Sequence, residues 1–517
     1  MRILPAFAFA AVLGAASFSA QEGFGQGTYV PKAQLCANGS QALCSTIPAY
    51  IGPDPELSPG LGYNGIFGQV TSAANDSQTP FDNMSWQSFI GLNWVASAES
   101  APAARGLAAA GSRVWQSWVK PDFLFGSGPV KASCGATSLP VITIASDGKG
   151  APSVKNDEYY QASTNLPLID IYGNWTLYER RLNSTEALYL LAPNGKLQDN
   201  LVTIAGQTKF VSDKNKVAFP ASATDPLGSR GAMELKIAWR ILGPNDTKSR
   251  YFTIDAQLAV AGDLVSGGQQ ICETVTLGMV GMHIIQRNPY YDGNKVLLAQ
   301  WIWSTFEHVD NAPVATAACD PTAPGPCPTI NQPSCGAAPA SSGNYSYFVG
   351  GSPAPTNNPP SAGARKNFAW SAKPPYASAY AQPTSSGKQT LYVAPQVVRC
   401  WSIYGNTASL NTQWQGALAQ AGSVFANYAL VGTQWGTTGL EVRLPNYPID
   451  AVPGLLSNLT LETYIQNNAK ATTSGGVGSC VGCHAQATLA VGNAPSDLSF
   501  LPSLAAPLPA RPVFSVK

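Results

Sequence analysis

Histidine and charged side chains are scarce in this sequence. Only three histidines occur among 517 residues, and Asp, Glu, Lys and Arg together make up 11% of the chain. The 30 basic and 29 acidic residues leave a formal net charge of +1, so no broad electrostatic field exists to attract nucleic acid or an acidic membrane. We therefore expect no nucleic-acid partner, and the few histidines restrict where acid–base or metal chemistry can occur.

Motifs of common hydrolases and nucleotide-binding enzymes are also missing. The sequence contains no G-x-S-x-G, no P-loop and no paired H-x-x-E zinc signature. Beyond the N-terminus no apolar run is long enough to span a bilayer, so no transmembrane anchor is expected.

The N-terminal stretch has the three parts of a secretory signal. Arg2 supplies the positive charge, residues 3–16 form the apolar stretch, and Ser17-Phe18-Ser19 offers small residues for signal peptidase. A membrane anchor is the weaker alternative, because the run is short and no charged stop follows it. The sequence therefore predicts an exported bacterial protein, either periplasmic or secreted.

Export would place the ten cysteines in an oxidising compartment, where disulfides are favoured. Eight of them lie outside the motif described below, which allows up to four bridges in many possible pairings. Cys36 and Cys44 are spaced for a local staple. Cys319, Cys327 and Cys335 cluster in one loop and are expected to include at least one bridge.

Glycine (49 residues), proline (41) and aromatic residues (10%) are abundant, which favours a loop-rich β protein over a helical bundle. In residues 233–241, apolar and polar side chains alternate with the period of a strand. Asp292-Gly293, between two further apolar stretches, is a strong hairpin signal. We predict a fold that is mainly β with some α: a large antiparallel β-sandwich-like core with short helices, including an amphipathic helix around Trp86 and another around Trp414.

Two cysteines and one of the three histidines lie within five residues near the C-terminus. Cys480, Cys483 and His484 form a C-x-x-C-H motif, which attaches haem c covalently. The two intervening residues allow both thiols to reach one edge of the porphyrin and add across its vinyl groups. The imidazole that follows becomes the proximal iron ligand. The sequence therefore predicts one covalent haem c, with Cys480 and Cys483 as attachment residues and His484 on the iron.

Three other interpretations of these residues remain. A thiol redox pair would follow a strand in a thioredoxin-like unit, and that context is missing. A zinc site needs a fourth ligand, and no second C-x-x-C or H-x-H is present. A plain disulfide between Cys480 and Cys483 is the simplest alternative.

The predicted organisation follows from these signals. It comprises a signal peptide (1–19), an extended N-terminal segment (20–80), a β-rich core (81–310), a Pro/Gly/Ala-rich loop stapled by cysteines (311–365), a continuation of the core (366–455) and a C-terminal haem c-binding segment (456–517). The tail after the motif is too short to enclose a porphyrin, so we expect the upstream β core to form most of the pocket.

Any sixth iron ligand must come from upstream, because no methionine follows Cys483. The upstream candidates are His283, His308, Met84, Met233, Met279 and Met282. A two-residue turn at Asp292-Gly293 would pair His283 with Ile302 and place His308 on the same sheet face, roughly 20 Å away, so both could not bind one iron. His308, at the end of its strand, is the favoured distal or pocket residue, and His283 is the less favoured one.

The chain resembles a group of exported bacterial proteins of similar length that are labelled c-type cytochromes for their single haem motif. The stretches that carry the resemblance are WQSFIGLNW, ELKIAWRIL, GMHII, WIWSTFEHVDNAP, ANYALVGTQW, ETYIQ and CVGCHAQA, and they extend from about residue 85 to residue 487. The resemblance implies haem binding at Cys480, Cys483 and His484 and fits a site role for His308. It implies no particular reaction.

Electron transfer is the favoured function, because the sequence offers a single haem site and no obvious catalytic set. The partner would be a redox protein or a small-molecule electron donor or acceptor. One alternative is a haem-dependent, peroxidase-like oxidoreductase with its distal pocket on the β core, since a carrier needs only about one hundred residues. Another alternative is a β-rich surface or carbohydrate-binding module with a haem appendage.

Overall fold

A computed structural model shows how the chain folds. It describes residues 78–95, 107–108, 110–126, 130–148, 161, 167–220, 231–292, 295–319, 338–351, 357, 369–377, 381–383, 389–391, 396–436, 455–467 and 480–507. The predicted signal peptide, nearly all of the predicted extended segment, and Cys36, Cys44, Cys327 and Cys335 lie outside the described residues.

The described chain contains six α-helices and eleven strands. The α-helices are α1 (Gln78–Leu92), α2 (Pro121–Phe125), α3 (Ser184–Leu191), α4 (Ile204–Ser212), α5 (Gly405–Gln420) and α6 (Cys480–His484). The strands are β1 (Val141–Ile144), β2 (Leu177–Leu182), β3 (Met233–Ile241), β4 (Thr253–Val260), β5 (Ile271–Asp292), β6 (Lys295–His308), β7 (Val314–Cys319), β8 (Ala381–Pro383), β9 (Gln389–Leu391), β10 (Arg399–Trp401) and β11 (Tyr428–Gly436). The fold is mainly β with some α, as predicted.

The central sheet is organised by β5, a strand of 22 residues. Two strands share one of its edges, because β4 pairs with residues 271–278 and β6 with residues 281–292. β3 and then β2 lie along the other edge, β1 flanks β4 in parallel, and β11 flanks β6. The result is a seven-stranded sheet, and the remaining described strands form two two-stranded sheets. The described residues thus contain one large sheet, whereas a sandwich needs two.

Tyr428 binds backbone groups at the position where β5 changes from one partner strand to the next. Backbone groups would be left unpaired there, between the start of β4, opposite Gly278, and the end of β6, opposite Gly281. The Tyr428 hydroxyl accepts a hydrogen bond from the Phe252 N–H at 3.0 Å and donates one to the Met279 carbonyl at 2.9 Å. One side chain therefore replaces the missing strand contact.

One face of the sheet, called the inner face here, carries the main hydrophobic core. The alternation predicted for β3 is confirmed, since all five of its odd-numbered residues from 233 to 241 belong to this core. α5 packs on the inner face through Leu410, Trp414 and Leu418, as its spacing predicts. α1 is buried on nearly all sides, so it is not the amphipathic helix that was expected.

Hydrogen bonds make the full burial of α1 possible. Its Ser85 hydroxyl lies 2.7 Å from the Ser304 hydroxyl and 2.6 Å from the Thr433 hydroxyl. The Trp414 indole donates to Asn83 at 3.1 Å. Polar residues that would normally mark a solvent-facing stripe are therefore satisfied inside the core.

The opposite face, called the outer face, is covered by two C-terminal segments, 455–467 and 480–507. Strand register aligns the side chains of this face in rows. One row contains Leu182, Glu234, Ile285, Trp303 and Gln434, and the next contains Arg180, Lys236, His283, Thr305 and Gly432. Segment 480–507 packs on the first row, and segment 455–467 bonds to the second.

The predicted hairpin between β5 and β6 is confirmed, but its register differs from the predicted one. Asp292 pairs with Lys295, and an irregularity at Tyr290 and Tyr291 shifts the ladder. His283 therefore pairs with Thr305, not with Ile302. Because side chains alternate between faces, His283 lies on the outer face and His308 on the inner face, so the prediction that they share a face is wrong.

Two of the predicted disulfide cysteines are joined in the described chain. Cys134, in the loop before β1, bonds to Cys272 at the start of β5. Cys400 of β10 also takes part in a disulfide. None of the helices in the described ranges combines the length and apolarity needed to cross a membrane.

The close approach of segment 455–467 to the sheet requires a glycine at position 281. A Cβ there would clash with the Thr460 hydroxyl and lie 3.1 Å from the Asn458 amide oxygen. We expect Gly281→Ala to lower the free energy of unfolding by about 1–3 kcal/mol, measured by urea denaturation. Gly416→Ala is the matched control, because its Cβ meets nothing within 4 Å and a helical alanine should add about 1 kcal/mol. Equal effects of the two substitutions would contradict this account.

Candidate functional site

The C-x-x-C-H motif lies on the outer face of the sheet. All three of its chemical residues fall in α6, a single helical turn that packs beside β11. The Cys480 N–H donates to the Gln434 side-chain oxygen at 2.6 Å. Because Gln434 pairs with Trp303 across the strands, the central sheet fixes where the motif begins.

A backbone carbonyl fixes the orientation of the His484 ring. Nδ1 lies 2.7 Å from the Leu498 carbonyl oxygen, which can only accept, so Nδ1 carries the proton. The lone pair is therefore on Nε2, the nitrogen available to a metal. Burial lowers the pKa of His484 to about 4, which keeps the ring neutral at pH 7.

Two aromatic side chains flank this imidazole. The Trp303 ring lies 5.4 Å from it and is buried, and the Phe500 ring lies 5.1 Å from it and is 39% exposed. The contact with Trp303 places the motif against β6 of the upstream core. The Trp303 indole N–H is buried and has no hydrogen-bond partner among the described residues. A polar group of a bound cofactor would satisfy that donor.

The thiols of Cys480 and Cys483 are half-buried and are not bridged to each other. Burial raises the pKa of both thiols above the usual value, the effect being larger for Cys480. An active thiol redox pair needs the opposite shift at its nucleophile. Across the described residues, no cluster of three His, Cys, Asp or Glu side chains could hold a metal ion, which leaves the zinc interpretation without support.

The residues present fit a covalently attached haem. Two unbridged thiols lie one helical turn apart, the following imidazole presents Nε2, and a buried indole donor nearby lacks a partner. These four groups are the attachment, ligand and hydrogen-bonding groups that haem c would use.

His283 lies on the same face as the motif. Its Nε2 is 2.7 Å from a carboxylate oxygen of Glu462, and both side chains are partly exposed. Burial alone would raise the pKa of Glu462, but the charge and hydrogen bond of His283 outweigh burial and lower it. His283 pairs with Thr305, so it lies in the row next to that of Trp303 and Gln434, the strand residues that contact the motif.

His308 is not brought to the motif. Its Nε2 lies 2.9 Å from the Arg250 carbonyl oxygen, and its Nδ1 accepts from the Asp310 N–H at 3.1 Å. The ring stacks on Tyr251 at 4.0 Å and meets the edge of Tyr428 at 5.1 Å. Both ring nitrogens are thus occupied by backbone groups on the inner face.

The four methionine candidates are also core residues. Met233, Met279 and Met282 belong to the inner-face core, and Met84 lies on buried α1. Placement on the inner face separates β3 and β5 methionines from α6 by the thickness of the sheet. Of the upstream candidates, His283 alone shares the outer face with His484 in the part of the chain described.

Sequence reasoning missed the residues that hold the motif. Gln434 and Trp303 are distant in sequence and converge only because β11 and β6 pair in register. Leu498 contributes a carbonyl, which no side-chain pattern reveals. For Trp303, the only signal in the sequence was a tryptophan in a predicted strand.

No family model, no curated protein and no solved structure matches this chain. The function of the chain must therefore be inferred from its residues and their geometry.

The buried position of His308 predicts a pH-dependent stability. Burial lowers its pKa from 6.5 to about 4, so the unfolded chain takes up the proton at higher pH than the folded chain. The stability that neutral His308 contributes is complete above about pH 6.5 and is lost as the pH falls toward 4. Between pH 7 and pH 4, we expect the unfolding free energy of the wild type to fall by up to about 3 kcal/mol more than that of His308→Asn. Urea titrations at both pH values measure this, and parallel losses in the two proteins would refute it.

Proposed function

We propose that this chain is an exported, periplasmic or secreted monohaem c-type cytochrome that acts in electron transfer. Cys480 and Cys483 would hold the haem by thioether bonds, and His484 would be its proximal iron ligand. The observation that carries the proposal is the hydrogen bond from His484 Nδ1 to the Leu498 carbonyl, which leaves Nε2 free for iron.

The chain's own residues prepare this site in three ways. The Gln434 side chain fixes the start of the motif helix, and the Leu498 carbonyl fixes the tautomer of His484. Trp303 forms a buried wall and offers an unpaired N–H. When bound, a haem supplies one-electron redox chemistry, whose potential depends on its axial ligands and their hydrogen bonds.

Electron transfer is favoured by the partial exposure of the site. Phe500 contacts the proximal imidazole and is 39% exposed, so a redox-active group here would lie close to the surface. A redox protein or a small-molecule electron donor or acceptor could approach without entering a deep channel.

A haem-dependent oxidoreductase is the second candidate, and the His283–Glu462 pair favours it. This hydrogen-bonded acid–base pair lies on the same sheet face as the motif, with side-chain exposures of 12% and 17%. Such a pair could move a proton in a distal pocket. Its placement makes His283 a better distal residue than His308.

Covalent attachment can be tested directly. Expressed with a cytochrome maturation system, the wild type should carry one haem that survives denaturing electrophoresis and gives the pyridine haemochrome spectrum of haem c. The double variant Cys480→Ser/Cys483→Ser should lose covalent haem entirely, because no thiol remains for a thioether. Cys134→Ser/Cys272→Ser is the control that removes two sulfurs elsewhere and should retain haem. A colourless wild type, or a Cys480–Cys483 disulfide found by mass spectrometry, would rule out the proposal.

The spin state separates the carrier from the enzyme. For a carrier, we expect low-spin six-coordinate iron that does not bind cyanide or react with peroxide. His283→Ala should convert part of the iron to high spin, whereas His308→Ala should not, because His308 lies on the other face of the sheet. The measurement is the electronic and EPR spectrum of each oxidised protein. High-spin iron that binds cyanide in the wild type would favour the enzyme.

A further inference from the structure

The carbonyl that orients His484 lies in an unusual backbone turn. Asp497 has a φ of 52° and Leu498 a φ of 68°, so two successive non-glycine residues adopt the left-handed conformation. Residues with a Cβ avoid this region, and leucine in particular has no local polar bond to compensate. The turn persists only if surrounding contacts hold it.

Asp497 supplies those contacts to two upstream elements. One carboxylate oxygen accepts from the Phe219 N–H at 2.8 Å, in the segment that follows α4. The other lies 3.4 Å from the Arg287 guanidinium, whose cationic group lies over the Trp301 ring at 5.8 Å. Both ionic side chains are 8% exposed, so solvent screens this pair weakly.

The neighbours of Asp497 complete the turn. The Ser496 N–H donates to the Ala487 carbonyl at 3.1 Å, which ties the turn back to the residues just after α6. The Leu498 side chain is 5% exposed and packs in the outer-face cluster that includes Trp303. The Leu498 carbonyl points toward α6, where it accepts a hydrogen bond from His484 Nδ1.

We propose that Asp497 is the positioning residue of the proximal ligand: by anchoring the turn to Phe219 and Arg287, it holds the Leu498 carbonyl on His484 Nδ1 and so sets the reduction potential. This inference rests on the proposed function for its redox consequence. A strong acceptor at Nδ1 makes the imidazole more electron-donating, which stabilises the oxidised iron and lowers the potential. Loss of the anchor therefore raises it.

The scarcity of histidine makes the orientation measurable without haem. With ¹⁵N-histidine labelling, the apoprotein should show three imidazole spin systems, which His283→Asn and His308→Asn variants assign. In the wild type, His484 should be protonated at Nδ1. In Asp497→Ala, we expect the Nε2-protonated form to appear at His484, while the other two rings keep their wild-type signals.

The holoprotein gives the second measurement. A spectroelectrochemical titration of Asp497→Ala should show an equilibrium constant for reduction about tenfold higher than the wild type, an increase of about 59 mV for one electron. Asp497→Asn should shift less, because its amide oxygen can still accept from Phe219. Arg287→Met should shift in the same direction, and it keeps the test informative if Asp497→Ala fails to fold. Asp213→Asn removes one negative charge from an exposed pair with Lys209 and should leave the potential unchanged.

The outcomes separate the two ideas. Wild-type tautomer and wild-type potential in Asp497→Ala and Arg287→Met would overturn the positioning role while leaving the haem in place. A wild type that takes up no haem would overturn the proposed function, and the tautomer of His484 in the apoprotein would still decide the role of Asp497.

Discussion

The burial of the outer sheet face by the C-terminal segment determines where the motif lies. A helix of five residues has no stability of its own, because nucleation costs more than one turn of hydrogen bonds returns. α6 exists because Val481, Leu489 and Leu498 pack against Ile285, Trp301 and Trp303 of the sheet. The position of the cysteines and the histidine is thus a consequence of tertiary packing.

The same burial encloses charged groups that must be compensated. Glu186 is fully buried, and neither of its carboxylate oxygens has a hydrogen-bond partner among the described residues. Burial raises the pKa of Glu186 well above the usual value, and the nearby charges of Glu234 and Asp497 raise it further. Glu186 therefore takes up a proton far more readily than an exposed carboxyl. Asp497 is instead paired with the Arg287 guanidinium.

Residue patterns predicted those features that depend on local periodicity or chemistry. The alternation of β3, the apolar stripe of α5 and the Asp292-Gly293 hairpin are all present, since each follows from which side chains must face a core. The attachment of haem at Cys480, Cys483 and His484 stays a prediction. The fold brings the His484 imidazole and the Trp303 indole N–H, which has no partner among the described residues, close together. The composition of the chain could not predict that arrangement.

Other features could not be read from the sequence, for physical reasons. The pairing of β5 with β6 shifts by one residue at Tyr290, which moves the side chains of β6 to the opposite face from the predicted one. No residue preference in the sequence indicates this shift. α1 is buried throughout because Asn411, Ser304 and Thr433 supply partners from distant segments. Leu498 is left-handed against its own preference, so only the contacts of its neighbours reveal the turn.

The environment of His484 depends on both faces of the sheet. Two residues after His484 contact its ring. The Leu498 carbonyl accepts a hydrogen bond from Nδ1, and the Phe500 ring packs near the imidazole. A second aromatic contact comes from Trp303 of β6, and the inner face of the sheet packs on α1 and α5. In this chain the tail that fixes the tautomer of His484 packs on the outer face of a large sheet, and the inner-face core supports that sheet.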